Sequence, residues 1–330
     1  SEHPRIVHLV QPRVLSFLDR SKMTPYHKKL LQDAKLLTNL NESINATVEL
    51  LCCVACRYLN TDTCLALRNN RVVETSYEYT LLLNSDVEVT AGWWQPLVEM
   101  LDANPDVAVV APKILSDRER DKFEYAGASG GFIDYLGYPF CRGRILSTVE
   151  SDQGQSDDSR DIFWASGAAM CCRTEVFCTL GGFDGDYFAH MEEIDLQWRM
   201  QLAGWRIVVE PRSTVYHLGG GTSAPSPHKI FLNRRNYLAM LVKCSTPLQR
   251  AVVAVVRPCT DFVEMVAYLL TLKPRSAWAV AKAWWEFLKW HGALADKRKE
   301  VIRTHKVQHI YRFSIIVRYL CGKRHFNKMM

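Results

Sequence analysis

Residues 79–86 have the sequence YTLLLNSD, a nearly continuous apolar run followed by three polar residues. Such a run is typical of a β-strand that is buried on both faces. Ligands bind at the carboxyl ends of the strands in open α/β sheets, so this strand is predicted to deliver Asn84 and Asp86 to a binding edge. Taken alone, the polar residues also fit a simple turn, because Asn, Ser and Asp are common turn formers.

The segments that follow alternate between helix and strand patterns. Helices are predicted at Gly92–Asn104 and Glu192–Ala203, and strands at Val107–Ala111, Arg206–Val209 and Thr214–His217. This alternation predicts an α/β fold with a mostly parallel sheet. Gly127–Gly143 is rich in glycine and aromatic residues and is expected to be a loop that lines a ligand. From Phe231 onward the pattern is helical, so a helical C-terminal appendage is expected.

The composition narrows the classes of protein to consider. The 330 residues are 48% hydrophobic and 23% charged, which predicts a packed core. The net charge of +6 is too small and too spread out to indicate a nucleic-acid partner. The odd number of cysteines, 11, and polar first residues without an apolar signal segment favour reduced thiols in a cytosolic compartment. Charges at Arg257, Asp261 and Glu264 interrupt the apolar stretch Ala251–Leu272, so no transmembrane helix is expected.

Three carboxylates cluster at the predicted start of the second helix, at Glu192, Glu193 and Asp195. A helix N-terminus stabilises negative charge, so the cluster has a purely structural interpretation. Two adjacent acids after an aromatic loop also suit a general base with a helper. On these residues alone both interpretations stay open.

His217 ends a predicted strand and is followed by Gly219, Gly220 and Gly221. A neutral imidazole can complete a metal site, and hard divalent cations prefer oxygen ligands such as the Asp86 carboxylate. Glycines allow backbone N–H groups to approach a diphosphate closely. A single histidine at a strand end also fits a structural role, so this motif is weak when taken alone.

In this order and spacing, the three motifs resemble those of family 2 glycosyltransferases with the GT-A fold, and within that family the bacterial rhamnosyltransferase-like branch. The resemblance covers roughly Leu65 to the C-terminus. Asn84-Ser85-Asp86 is similar to the family's metal-binding motif at a strand end, and His217 to the histidine before its glycines. Gly181–Asp184 and Glu192–Leu196 are similar to its Gly-Gly-Phe-Asp and acidic segments.

The resemblance implies roles for individual residues. Glu193 would be the catalytic base with Glu192 beside it, and Asp86 and His217 would bind Mg²⁺ or Mn²⁺. The small residues Ser166, Gly167 and Ala168 would lie under the donor sugar, and Phe231–Asn236 is similar to an arginine–asparagine stretch near the diphosphate. The expected donor-binding residues are Asn84, Ser166, Gly167, Ala168, Gly220 and Arg234.

The function implied by the resemblance is inverting transfer of a hexosyl or rhamnosyl group from a nucleotide-diphosphate sugar. The acceptor would be a lipid-linked or polysaccharide chain of the cell envelope. Residues 65–235 would form the GT-A domain and residues 236–330 a helical region. Residues 1–64 lack the family's nucleotide-binding strands and turns, and are expected to pack poorly on the α/β domain. A non-catalytic acceptor-binding or scaffold protein is therefore the alternative.

Aromatic and basic residues cluster in the helical C-terminal region. Such clusters on amphipathic helices are typical of segments that lie in a membrane interface. They predict a cytoplasmic protein held peripherally at the inner face of the cytoplasmic membrane. A helical pack with a solvated basic face is the alternative. The residues are Trp278, Lys282, Trp284, Trp285, Lys289, Trp290, Lys297, Arg298 and Lys299.

Overall fold

Seven strands form the main sheet of the protein. The computed structural model describes residues 6–10, 67–68, 71–72, 78–84, 86–219, 226–307 and 309–329. The order across the main sheet is β1 (Ile6–Val10), β4 (Tyr79–Leu83), β12 (Ala169–Arg173), β6 (Val107–Ser116), β13 (Arg206–His217) and β11 (Arg160–Asp161), and β5 (Val87–Val89) pairs with β13. The short strands β2 (Leu67–Arg68) and β3 (Arg71–Val72) pair with each other.

The α/β fold predicted from the alternating pattern is confirmed. The main sheet, which was expected to be mostly parallel, is mixed, and four of the six pairings between its described strands are antiparallel. β1 is parallel to β4 and β6 is parallel to β13, whereas β12 runs antiparallel to both β4 and β6. The pairing of β1 with β4 makes Ile6–Val10 part of the sheet. Most of residues 1–64 lie outside the described residues, so their packing stays a prediction.

Two strands are longer than the sequence predicts. β6 continues through Pro112 to Ser116, and β13 joins the two strands predicted at Arg206–Val209 and Thr214–His217. Pro112 lies opposite Glu210, where the register between β6 and β13 shifts. Because proline lacks an N–H, a sheet tolerates it where regular pairing is interrupted. The irregular register explains why Pro112 does not end β6 and why the gap predicted between Val209 and Thr214 does not divide β13.

Helices cover both faces of the main sheet. Successive side chains of β4 point to opposite faces. Leu81 packs in a cluster with Leu97 of α1 (Gln95–Ala103), and Leu82 in a cluster with Leu196 of α3 (Glu192–Leu202). These four side chains are fully buried, as the continuous apolar run of β4 predicts. The short helix α2 (Thr174–Thr179) follows β12 directly.

A second sheet replaces the ligand-lining loop that was expected at Gly127–Gly143. The expected loop was wrong, because the glycines and aromatics of this segment serve packing; contact of the segment with a ligand stays a prediction. Gly131 lies so close to the Trp164 ring that a Cβ atom there would clash. The rings of Phe132 and Phe140 stack with centroids 5.7 Å apart. The sheet order is β10 (Thr148–Val149), β9 (Arg144–Ile145), β8 (Pro139–Cys141), β7 (Gly131–Asp134) and β14 (Ile310–Tyr311).

The expected helical C-terminal appendage is confirmed. It consists of α4 (Pro227–Cys244), α5 (Pro247–Leu270), α6 (Pro274–Glu300) and the short α7 (Ile315–Leu320). The first three helices begin with proline, which suits the first helical position because the N–H group there has no partner within the helix. None of the helices in the described part of the chain is both long and apolar enough to cross a bilayer.

Candidate functional site

Asp86 and His217 meet because a short strand pairing brings them together. β5 begins directly after Asp86, and its first residue, Val87, lies opposite His217 at the end of β13. The backbone N–H of Leu218 donates to the carbonyl of Asp86 at 2.9 Å. As a result the Asp86 carboxylate Oδ1 lies 3.1 Å from His217 Nε2.

Glu124 lies on the other side of the same imidazole ring. Its carboxylate Oε1 is 3.4 Å from His217 Nδ1, and both side chains are largely buried. Burial alone would lower the pKa of His217, but hydrogen bonding to Asp86 and Glu124 outweighs it and raises the pKa to about 9. The sequence patterns gave no sign of Glu124, which reaches the ring only through the folding of the segment after β6.

The Asp86–His217 pair has the spacing of two neighbouring metal ligands. In an octahedral site with ligand distances of about 2.1 Å, adjacent ligand atoms lie about 3 Å apart. The 3.1 Å between Asp86 Oδ1 and His217 Nε2 matches that spacing and is equally the distance of a hydrogen-bonded ion pair, so the imidazole must give up its proton before it can bind a cation. Within the described ranges, no group of three or more His, Cys, Asp and Glu side chains could hold a metal. A cation here would take its remaining ligands from water and from phosphate oxygens, as Mg²⁺ often does.

The segment Ser166–Ala168 lies at the same end of β4 as Asp86. The backbone N–H of Asn84 donates to the carbonyl of Ala168 at 2.8 Å. The Ser166 hydroxyl accepts a hydrogen bond from the N–H of Ala168 at 3.2 Å. The small residues therefore line the strand end that carries Asn84, although their contact with a sugar stays a prediction.

Gln197 connects this segment to the acidic start of α3. Its side-chain oxygen accepts from the N–H of Ala165 at 2.6 Å, and its amide nitrogen donates to the carbonyl of Ala165 at 2.8 Å. The same nitrogen lies 3.1 Å from the carbonyl of Glu193. The end of β4, the small-residue segment and the first turn of α3 thus form one hydrogen-bonded unit. A lone glutamine within a helix gave no sign of this role in the sequence.

The loop before the acidic pair has an unusual backbone. Phe188, His190 and Met191 all have positive φ angles, of 63°, 72° and 71°. Residues other than glycine rarely adopt such backbone angles, and strained backbone of this kind concentrates at functional sites. α3 starts immediately afterwards at Glu192, and the Glu192 and Glu193 side chains are half-buried.

Asn236 holds this strained loop in place. The side chain is fully buried. The carbonyls of Tyr187, Ala189 and His190 all lie 2.8–2.9 Å from its amide nitrogen and share the two N–H donors of that group. Within the stretch Phe231–Asn236, it is therefore Asn236 that contacts the loop before the acidic pair. Arg234 instead pairs with Asp261 and Glu264 of α5, so its contact with a diphosphate stays a prediction.

Asp195, the third carboxylate of the acidic motif, is fully buried. It accepts from Lys243 Nζ at 2.9 Å, from Arg199 Nε at 2.9 Å and from the Tyr187 hydroxyl at 3.0 Å. Lys243 also pairs with Asp184 at 2.6 Å. For Asp195 the structural interpretation of the acidic cluster applies. Among the other predicted donor residues, Gly220 lies outside the described residues.

Comparisons with known proteins agree with these motifs. No family model matches the chain. It is 29% identical over 147 residues to an N-acetylglucosaminyl-diphospho-decaprenol L-rhamnosyltransferase of Mycobacterium tuberculosis, a match over 42% of this chain and 47% of that protein. It is 27% identical over 152 residues to the O-antigen biosynthesis protein RfbC of Myxococcus xanthus, over 46% of this chain and 12% of that one. The chain thus matches less than half the length of either relative.

A solved structure of GalNAc-T7 with UDP, GalNAc and Mn²⁺ is 14% identical, with a TM-score of 0.41 over 73% of this chain and 48% of that one. The sequence matches are to glycosyltransferases and to a protein of O-antigen synthesis. These sequence matches support a similarity of the chain to family 2-like glycosyltransferases.

Proposed function

We propose that the protein transfers a hexosyl or rhamnosyl group from a nucleotide-diphosphate sugar to an acceptor hydroxyl with inversion at the anomeric carbon. The observation that carries the proposal is the connected unit at the end of β4. Asp86 and His217 lie at the strand end, and Gln197 ties the adjacent small-residue segment to the first turn of α3, which carries Glu193.

Glu193 is the proposed base, and Glu192 its helper. Glu193 removes the proton from the acceptor hydroxyl, which then attacks the anomeric carbon as the diphosphate leaves. A positioned base of this kind suits a single displacement, and that route inverts the configuration. The loop clamped by Asn236 sets the position of Glu193.

Asp86 and His217 are the proposed ligands of Mg²⁺ or Mn²⁺. When bound, the cation supplies Lewis-acid stabilisation of the negative charge on the leaving diphosphate. Asn84 orients the donor, Ser166, Gly167 and Ala168 lie under its sugar, and Gly220 and Arg234 face its diphosphate. All of these donor-binding assignments come from the family resemblance.

The proposed acceptor is a lipid-linked glycan or a polysaccharide of the cell envelope, met at the inner face of the cytoplasmic membrane. The name of the mycobacterial relative describes rhamnosyl transfer to a diphosphate-linked lipid, and RfbC is named for O-antigen biosynthesis. The first name supports a lipid-linked acceptor, and the second supports an acceptor of the cell envelope.

The test is direct. Titration calorimetry with UDP-, GDP- and dTDP-sugars in the presence of Mn²⁺ is expected to detect binding of one nucleotide class. Proton NMR of the product formed on a lipid-diphosphate-linked acceptor is expected to reveal the anomeric configuration opposite to that of the donor. A retained configuration would refute the inverting route. Lack of binding by every nucleotide sugar would favour the non-catalytic alternative.

Replacement of the proposed metal ligand, Asp86→Ala, is expected to abolish both metal binding and metal-dependent turnover. The reason is that an alanine leaves His217 as the single protein ligand of the proposed pair. Mn²⁺ affinity can be followed by electron paramagnetic resonance, and Glu88→Ala, which removes an exposed carboxylate two residues away, is the matched control. Unchanged Mn²⁺ affinity in Asp86→Ala would place the metal elsewhere.

Asn236→Asp is expected to lower turnover more than Asn236→Ala does. The aspartate would direct carboxylate oxygens at carbonyls that now accept hydrogen bonds, so it repels the loop, whereas alanine only releases it. An unmet buried carbonyl costs about 1–3 kcal/mol, and either change lets the loop before Glu193 relax. Steady-state kinetics with thermal melts as a folding control check this. Equal turnover in the two variants would contradict the clamp.

A further inference from the structure

Helix α5 turns its charged side chains toward the protein. Arg257 and Asp261 are almost fully buried. Asp261 pairs with Arg234 of α4 at 2.9 Å and accepts from the Trp284 indole N–H at 2.8 Å. The Arg257 guanidinium lies 4.3 Å from the centre of the Tyr237 ring. Arg257 and Asp261, which interrupt the apolar stretch in the sequence, therefore make their contacts inside the protein.

The outward face of α5 is apolar along its whole length. Among residues 251–272 the charged residues are Arg257, Asp261 and Glu264; the first two are buried, and Glu264, which is 34% exposed, pairs with Arg234. This is the reverse of an ordinary surface helix, which turns its polar face to water. Large continuous apolar patches on a protein surface mark sites of contact with a partner or a membrane. We call this patch the α5 face; its largest exposed side chains are Val255, Phe262, Val263, Val266, Leu269, Leu270 and Leu272.

Basic and aromatic residues follow the α5 face directly in the chain and border its C-terminal end. Lys273 and Arg275 are exposed at the turn between α5 and α6. On α6, Trp278, Lys282, Trp285 and Lys289 follow the spacing of one helix face, and all four are exposed. The tryptophan side chains are 69% and 63% exposed. Tryptophan and basic residues beside an apolar patch match the layers of a bilayer surface, in which aromatic rings and cations lie at the level of the headgroups.

A groove in this border has room for an anionic headgroup. It has a volume of about 470 Å³ and lies between the starts of α4 and α6. His228, Arg275 and Lys282 supply its polar lining, and Phe231 and Trp278 its aromatic lining. Pro274 and Arg275, which line the groove, follow Leu272 of the α5 face closely in the chain. A lipid with its chains on that face could therefore place its phosphate among these basic groups.

We propose that the α5 face inserts into the outer layer of an anionic lipid bilayer, with Lys273, Arg275 and Lys282 against the headgroup phosphates. The charge of the border favours a bilayer over a second copy of the chain, because anionic headgroups complement its basic residues, whereas a second copy would add the same positive charges to the contact. The proposal rests on the proposed function in one respect, because the α5 face would hold the site close to the lipid-linked acceptor of that function.

The test is flotation of the full chain with vesicles of phosphatidylcholine, with and without phosphatidylglycerol. Val263→Asp combined with Leu270→Asp is expected to lower the partition coefficient by at least about tenfold, since two exposed apolar anchors are lost. The matched control is Val317→Asp with Leu320→Asp on α7, which changes two equally exposed apolar residues far along the chain. Unchanged partitioning in the α5 variant, or an equal loss in the α7 variant, would overturn the proposal.

The basic border is tested separately. Arg275→Ala and Lys282→Ala are each expected to weaken binding to phosphatidylglycerol vesicles about fivefold and to leave binding to pure phosphatidylcholine nearly unchanged. Light scattering tests a second copy of the chain as the alternative occupant. If the wild type is a dimer that does not bind vesicles, and the α5 variant is a monomer, the α5 face is an interface between two copies and the proposal is overturned. Glu193→Gln is expected to bind vesicles like the wild type. Wild-type protein that binds vesicles but transfers no sugar would refute only the proposed function, whereas sugar transfer without vesicle binding would refute only the proposal for the α5 face.

Discussion

Glu193→Gln is expected to lower turnover about 100-fold or more, because an amide cannot accept the acceptor proton and loss of a general base typically costs that much. The substitution keeps the size of the side chain. It also keeps the backbone carbonyl of residue 193, to which Gln197 donates. Nucleotide-sugar and Mn²⁺ affinities, measured by calorimetry, are therefore expected to stay close to those of the wild type.

The neighbouring acid provides the matched control. Glu192 lies in the same first turn of α3 and is half-buried like Glu193. Glu192→Gln is expected to have the smaller effect on turnover. A large loss in Glu192→Gln with near-normal turnover in Glu193→Gln would transfer the role of base to Glu192. Normal turnover in both variants would remove the acidic pair from the chemistry.

Asp195→Ala is expected to lower the free energy of unfolding by about 3–5 kcal/mol, the range found when one partner of a buried ion pair is removed. The substitution leaves Lys243 and Arg199 without their shared buried carboxylate, and removes the acceptor of the Tyr187 hydroxyl. Urea unfolding followed by circular dichroism measures the effect. Asp106→Ala, which breaks an exposed pair with Arg206, is expected to cost less than about 1 kcal/mol.

Acid unfolding gives a second measure of the same cluster. Burial alone would raise the pKa of Asp184, but the ammonium groups of Lys243 and Lys297 overcome it and lower the pKa from 3.8 to about 2. The ionised carboxylate therefore contributes stability above its unfolded pKa, and that contribution is lost as the pH falls toward 2. Lys297→Met is expected to move the loss to higher pH. An unchanged acid midpoint in that variant would contradict the role of Lys297.

The sequence predicted the elements with strong local patterns. The apolar run of β4 and the helix that starts at Glu192 are where the patterns place them, because continuous burial and helical periodicity are visible in neighbouring residues. The approach of Asp86 and His217 followed from the family resemblance. It has a simple structural cause, the pairing of β5 with the end of β13.

The remaining parts of the site depend on contacts between distant residues. Glu124, Gln197 and Asn236 reach their partners across 93, 32 and 46 or more positions of the chain, and none has a local pattern that marks it. The stretch Gly127–Gly143 was predicted to be a loop because its packing partners are also distant in the chain. Glycine serves close packing as readily as it serves a ligand, and only the position of the Trp164 ring distinguishes the two.

The strained loop before α3 has a consequence for how the protein would change under selection. His190 and Met191 hold backbone angles that glycine adopts with little cost. A glycine at either position would relieve strain of about 1–3 kcal/mol and would also slacken the loop that sets Glu193. Laboratory evolution for heat tolerance alone would therefore accumulate glycines here, whereas evolution for rate would preserve the larger residues.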